Sequence, residues 1–221
     1  MRSNSVIAQA PSAFNATSFA PFVILLGTLL LVRSSVLDWS QVPTGSMQPT
    51  IAIGDHIVVD KLAYDLRIPF THVSLLRHGA PQRGDIVTFS SPVEDRTYVK
   101  RVIGLPGDDV AMIGNHLVVN GQPSAWVSTT DDGILEERVD GRSWHIRLFG
   151  SPLAPDNFGR IRVPDGKYLV LGDNRQQSFD SRQFGFVDRD SILGRARLVA
   201  FSLDYDDRFI PRRDRVFLPL R

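Results

Sequence analysis

Apolar and polar positions follow two different rhythms along this chain, and one gives way to the other near residue 50. From Phe19 to Val32 the chain reads FAPFVILLGTLLLV, 14 residues without a charge, closed by Arg33. As a helix that run is roughly 21 Å long, against a hydrocarbon core of ~30 Å. Extension back to Ala13 makes 20 residues and admits only Asn15, Thr17 and Ser18, while Pro21 suits a first turn. The expectation is a short stub and one uncleaved transmembrane helix within residues 1–36. A cleaved signal peptide and a buried soluble helix compete with it. The first lacks a basic start, Ala8-x-Ala10 lies before the apolar run, and Val32-x-Ser34 is its one exit site.

Beyond residue 50 short alternating runs are separated by Gly, Pro, Asn and Asp, the pattern of antiparallel β-structure. It predicts strands at His56–Asp60, Ile86–Ser90, Thr97–Ile103, Val110–Ile113, His116–Val119, Ser143–Phe149, Tyr168–Leu171 and Ile192–Phe201. Gly114-Asn115 and Asn120-Gly121 read as two-residue hairpin loops, and Pro164-Asp165-Gly166 as a turn before a strand. Gly-Asp recurs at Gly54, Gly84, Gly107 and Gly172, each beside a strand, where turn chemistry is the simplest account. The Gly- and Pro-rich segment 109–165, with the acidic patch Asp131, Asp132, Glu136 and Glu137, reads as a hairpin-rich insertion. The fold expected is mainly β. An antiparallel catalytic body over 37–108 and 166–203 carries an inserted β-lobe at 109–165, an N-terminal transmembrane helix and a tail at 204–221.

Composition narrows the chemistry. With 25 Lys plus Arg against 24 Asp plus Glu in 221 residues, the chain has no field to hold a nucleic-acid backbone, and nucleic acid is not an expected partner. Zero cysteine excludes disulfides, a thiolate nucleophile and cysteine-ligated metal. There is no H-E-x-x-H, no G-x-S-x-G and no P-loop. His56, His72, His78, His116 and His145 share no metal-ligand spacing, and Asp204, Asp206 and Asp207 read as a solvated loop, so neither metal nor cofactor is expected.

Three segments stand out. In VPTGSMQPT, Pro43 and Pro49 stiffen a turn around Gly45-Ser46, where backbone N–H groups can converge beside the serine hydroxyl. In TYVKRVI, strand alternation puts Tyr98, Lys100 and Val102 on one face and Val99, Arg101 and Ile103 on the other. Burial beside such neighbours disfavours an ammonium, and bringing a lysine from ~10.4 to about 8 corresponds to roughly 3 kcal/mol. The neutral amine can then take the proton of a hydroxyl. The third segment, GDNRQQSFDSR at 172–182, carries too many donors and acceptors for a plain connector, and Asp180 and Arg182 are placed to pair and fix Ser178.

Together PTGSMQPTI with GDHIVVDKLAY, RGDIVTF, YVKRVIGLPGD and GDNRQQSFDSRQFGFV, in that order, resemble the bacterial type I signal peptidases, membrane-anchored Ser/Lys endopeptidases of the secretory pathway. The resemblance covers 39–108 and 168–201, leaving the insertion and the tail unmatched. It implies Ser46 as nucleophile and Lys100 as general base. Thr44 and the Ser46 N–H would hold the oxyanion, Ser178 would hydrogen-bond the lysine, and Asp180 with Arg182 would form an ordering ion pair. It also implies a cleft lined near Val42, Pro43, Met47, Ile51, Thr88, Tyr98 and Val99, with a β-edge that pairs with an extended precursor carrying small residues one and three positions before the cut. This chain departs from the family in showing one apolar segment where some relatives carry two, in Gln176, Gln177 and Phe179, and in a polar Thr88. The expected partners are secretory precursors and the lipid bilayer. The chain would act as a monomer in the inner membrane, with its catalytic body on the extracytoplasmic side. Ser46 falls 14 residues past Val32, and Trp39, Met47, Ile51 and Ile53 near it suit the headgroup layer. Alternatives are a dedicated Ser/Lys peptidase maturing a conjugation or pilus subunit, and a non-catalytic peptide-binding β-module.

Overall fold

The structure, a computed structural model, describes residues 19–71, 73–128, 133–149, 155–205 and 207–220. Helix α1 (Ala20–Ser35) leads into β1 (Leu37–Gln41), β2 (Asp55–Asp60), the hairpin of β3 (Asp65–Arg67) and β4 (Ser74–Arg77), β5 (Ile86–Ser90) and β6 (Thr97–Gly104). Then come β7 (Asp109–Ile113), β8 (His116–Val119), β9 (Gln122–Pro123), β10 (Ala125–Ser128), β11 (Ile134–Val139), β12 (Arg142–Arg147) and β13 (Phe158–Arg162). The chain returns through β14 (Lys167–Leu171), the one-turn helix α2 (Ser181–Phe184), β15 (Val187–Asp188) and the long β16 (Ile192–Asp204). It closes with β17 (Ile210–Pro211) and β18 (Leu218–Pro219).

The fold is mainly antiparallel β, as the alternating runs require. One large sheet takes the order β1-β2-β16-β5-β6-β14-β15, with β17 and β18 added to β16. Residues 109–162 form two small sheets, β13-β7-β8-β9 and β10-β11-β12. Their apolar faces are continuous with the large sheet: Val110, Met112, Trp144 and Ile146 pack with Ile103, Leu169 and Leu171. A second core lies beneath the 42–51 segment, where Met47, Ile51, Ile57, Ile86 and Val199 meet. β6 is paired on both sides, by β5 and by β14, so its side chains are held at fixed heights above both faces.

Strands Ile86–Ser90 and His116–Val119 form as read, and those begun at His56, Thr97, Val110 and Tyr168 each gain one residue. The last strand runs on to Asp204, and the strand read at Ser143–Phe149 lies at Arg142–Arg147. The two-residue loops Gly114-Asn115 and Asn120-Gly121 both take positive φ, the mirror-image turn that matches strand twist. β11 was not expected, because Glu136, Glu137 and Arg138 interrupt its apolar pattern. The tail is not a free loop: β17 and β18 pair with β16, and Arg215 grips Asp55 at 2.6 Å.

The apolar run does form a helix with Pro21 in its first turn, but the helix has 16 residues. Among the described residues no helix is long and apolar enough to cross a membrane, and α1 covers only part of the expected span. Residues 1–18, with the stub and the Ala13–Ser18 extension, lie outside the described residues, as do His72, Asp131, Asp132 and Asp206.

Candidate active site

Three of the four Gly-Asp pairs are turns. Gly54, Gly84 and Gly107 take φ near +90°, and the carboxylates of Asp55, Asp85 and Asp108 close each turn on the N–H three residues back, at 2.8, 3.0 and 2.7 Å. Gly172 differs. A Cβ there would meet Ser178 Oγ at 2.2 Å and the Ser46 carbonyl oxygen at 2.5 Å, so only glycine lets these two segments approach so closely.

The 42–51 segment is tied to the body by the Val42 N–H on the Asp55 carbonyl and the Gly54 N–H on the Val42 carbonyl. Met47 and Ile51, both fully buried, root it in the core. That removes these two from the cleft to which they were assigned. Their side chains point down beneath the turn, and in doing so they hold Ser46 up. The apolar surface expected near the bilayer divides in the same way, with Trp39 and Ile53 exposed and Met47 and Ile51 inside.

Lys100 rises from β6 opposite Val87 and is 4% exposed. Its Nζ donates to Ser46 Oγ at 2.7 Å across 54 residues of sequence. Among the described residues no carboxylate comes within ion-pair distance of it, and the Tyr98 ring centroid lies 5.6 Å away on the same face, as strand alternation requires. Burial pushes the Lys100 ammonium from its usual 10.5 down to about 8; Asp180 and Asp173 pull it back up and Arg182 pushes it further down.

Loop 172–182 closes over the pair. Asn174 donates from its backbone N–H to the Ser46 carbonyl and from Nδ2 to the Gly45 carbonyl, both at 3.1 Å. Asp180 and Arg182 form the expected ion pair in a two-pronged, buried geometry, at 2.8 and 2.7 Å. Asp180 also accepts from the Gly172 N–H at 3.0 Å, and Arg182 reaches the Arg175 carbonyl at 2.6 Å. Ser178 is fully buried against Gly172, but its hydroxyl has no hydrogen-bond partner among the described residues, so the expected bond to Lys100 is not formed. The lysine is turned to Ser46.

A cleft of about 640 Å³ opens onto Ser46 and Lys100. Of the residues expected there, Val42, Pro43, Thr88, Tyr98 and Val99 line it; Thr44 lies in its wall too, and Gln177, Phe179, Glu94 and Arg96 add a rim. Thr44 is exposed at the cleft wall, and the Ser46 N–H makes no hydrogen bond among the described residues. The Thr44 hydroxyl likewise makes no hydrogen bond among the described residues. No histidine lines the cleft, and no cluster of metal-ligating side chains is found among the described residues.

Arg101, Asp173 and Thr50 brace the site and were not among the residues expected there. Arg101, on the opposite face of β6, holds Asp173 at 2.8 and 2.7 Å, and Thr50 donates to the same carboxylate at 2.5 Å. This link fastens loop 172–182 to both β6 and the Ser46 segment. The alternation of Arg101 with Lys100 was the available signal for it. Glu137, read as one of four residues in an acidic patch, is fully buried and paired with Arg175.

The family described as signal peptidase, peptidase S26, matches this chain over residues 16–201. Signal peptidase I of Pseudomonas fluorescens is 34% identical over 204 residues, covering 84% of this chain and 71% of that protein. Signal peptidase I of Rickettsia akari (strain Hartford) is 35% identical over 210 residues, covering 82% and 77% respectively. The crystal structure of a signal peptidase I from Enterococcus faecalis V583 shares 33% identity, covers 53% of this chain and 97% of that chain, and superposes with a TM-score of 0.36.

Proposed function

This chain belongs to the signal peptidase S26 family, and we propose that it is a serine endopeptidase that removes signal peptides after small-x-small sites, with Ser46 as nucleophile and Lys100 as general base. The observation that carries the reading is a buried amine 2.7 Å from one hydroxyl, with no carboxylate within ion-pair distance among the described residues. At a pKa of about 8, roughly a tenth of the lysine is neutral at pH 7 and able to take the Ser46 proton. The freed oxygen attacks the scissile carbonyl, and the Thr44 hydroxyl and Ser46 N–H receive the developing oxyanion. The protonated lysine gives its proton to the leaving amine, and water, activated by the same amine, then releases the acyl-enzyme.

The precursor binds as an added strand along the cleft, where alternate side chains enter pockets walled by Val42, Thr88, Tyr98 and Val99. Asp180 and Arg182 order the loop that covers the lysine, and Ser178 fills the space against Gly172. The working units are a body of 37–108 with 166–203, a lobe at 109–165 and a tail at 204–221. Attachment to the inner membrane is through α1, with the body on the extracytoplasmic side. What supports this is the helix's apolar surface, exposed at Phe22, Val23, Ile24, Leu25, Leu29 and Leu30, and Trp39 at its foot under Arg33 at 4.1 Å.

The test is cleavage of a purified precursor bearing Ala-x-Ala by the full chain and by Ser46→Ala and Lys100→Ala. Both variants are expected to stay folded and to lose cleavage by at least ~10⁴-fold. Retained cleavage in Lys100→Ala assigns the base elsewhere. Retained function in cells by both variants favours a peptide-binding module.

A further inference from the structure

Across the three-stranded sheet β10-β11-β12, Trp126, Glu137 and Trp144 stand directly opposite one another. Both indole N–H groups turn to the carboxylate between them, Trp126 to Oε1 at 3.2 Å and Trp144 to Oε2 at 3.1 Å. Arg175 completes the set, donating Nη1 to Oε1 at 3.1 Å and Nη2 to Oε2. Each carboxylate oxygen thus accepts two N–H groups in a site with no solvent exposure, and Arg175 is 1% exposed. A surface ornament would not need this: a buried pair with one partner missing is strongly destabilising, and an apolar pair serves stability as well.

Arg175 follows Asn174, which holds the Ser46 and Gly45 carbonyls, and its own carbonyl receives Arg182, the partner of Asp180. Resting on the peptidase reading, we propose that Glu137 is a positioning residue for the cleavage reaction: from the 109–165 segment it seats Arg175, and through it the loop that sets Ser46 against Lys100. A second tie runs from the same sheet, with the Arg147 N–H on the Asp173 carbonyl at 2.8 Å and its guanidinium on Gln48 at 3.1 Å. The proposal assigns the seating of Arg175 to Glu137 and not to this tie.

The experiment measures kcat, KM and the pH dependence of precursor cleavage in Glu137→Gln, alongside the parent and Ser46→Ala. It also titrates the Lys100 ¹³Cε resonance, which needs no activity. The groups facing that amine are Ser46, Tyr98, Asp173, Asp180 and Arg182. Because burial is the largest influence on it, a loosened loop moves both the acid limb and the resonance above 8. The expected result is kcat lowered about 10²-fold with KM within about threefold, as for a small misplacement of reacting groups. Unchanged kcat and an unmoved Lys100 titration overturn the proposal. Should Glu137→Gln fail to fold, Glu137→Met with Arg175→Met leaves no buried charge and is expected to fold with kcat still reduced. Parental kcat in that double variant shows a purely structural pair and overturns it. Should the parent fail to cleave, or Ser46→Ala cleave, the peptidase reading falls and the Lys100 titration alone decides on Glu137.

Discussion

Lys100 and Arg101 are neighbours on one strand, both buried cations, at 4% and 1% exposure, on opposite faces of the sheet. Arg101 is surrounded by acceptors: two oxygens of Asp173, the Gly84 carbonyl and Thr50 Oγ1. Lys100 has one neutral hydroxyl among the described residues. The guanidinium serves as a rivet between β6 and loop 172–182. The ammonium, desolvated and only partly compensated by Asp180 and Asp173, is brought down to about 8 and becomes able to surrender its proton. Burial is common to both faces; what separates structure from chemistry is whether the buried charge finds a counter-charge.

The sharpest way to break this contrast is Lys100→Arg, which keeps a cation at the site but one that does not deprotonate. Cleavage of an Ala-x-Ala precursor by the folded variant is expected to fall by at least ~10⁴-fold, with no recovery up to pH 10. Recovery at high pH would show that charge, not proton transfer, is what the position supplies.

Arg101→Met attacks the other face. It strands the Asp173 carboxylate and is expected to lower unfolding free energy by about 3–5 kcal/mol in denaturant titration. A loss under 1 kcal/mol would mean that Thr50 and solvent suffice for Asp173.

The smallest expected effect has the opposite sign. Since the folded protein binds fewer protons at Lys100 than the unfolded chain between pH 8 and 10.5, stability rises with pH across that window, and the burial cost is fully present below 8. Lys100→Met removes that cost, offset in part by the lost bond to Ser46. At pH 7 it is expected to stabilise the protein by about 1–3 kcal/mol, a gain that fades by pH 10. A destabilised Lys100→Met would show that the amine is held by compensation not seen around it.

What the sequence by itself determined follows from short-range rules. Alternation set Lys100 beside Tyr98 and Arg101 on the reverse face, Asn-Gly and Gly-Asn pairs set the hairpin turns, and a spacing of two positions from Asp180 to Arg182 was enough for their pairing. Each depends on backbone geometry over a few residues, which the residues themselves carry. The tertiary structure alone decided that Met47 and Ile51 turn into the core and lift Ser46, and that Gly172 is a point of contact where its three look-alikes are turns. It alone decided that Glu137 leaves an apparently acidic surface to meet Arg175. These outcomes depend on which distant segment arrives opposite, and a charge or an apolar side chain reads the same along the chain whether its partner comes or not. Burial and pairing are properties of the assembled neighbourhood, so the contact of Ser46 with Lys100, unlike the strands, exists only once distant segments have been brought together.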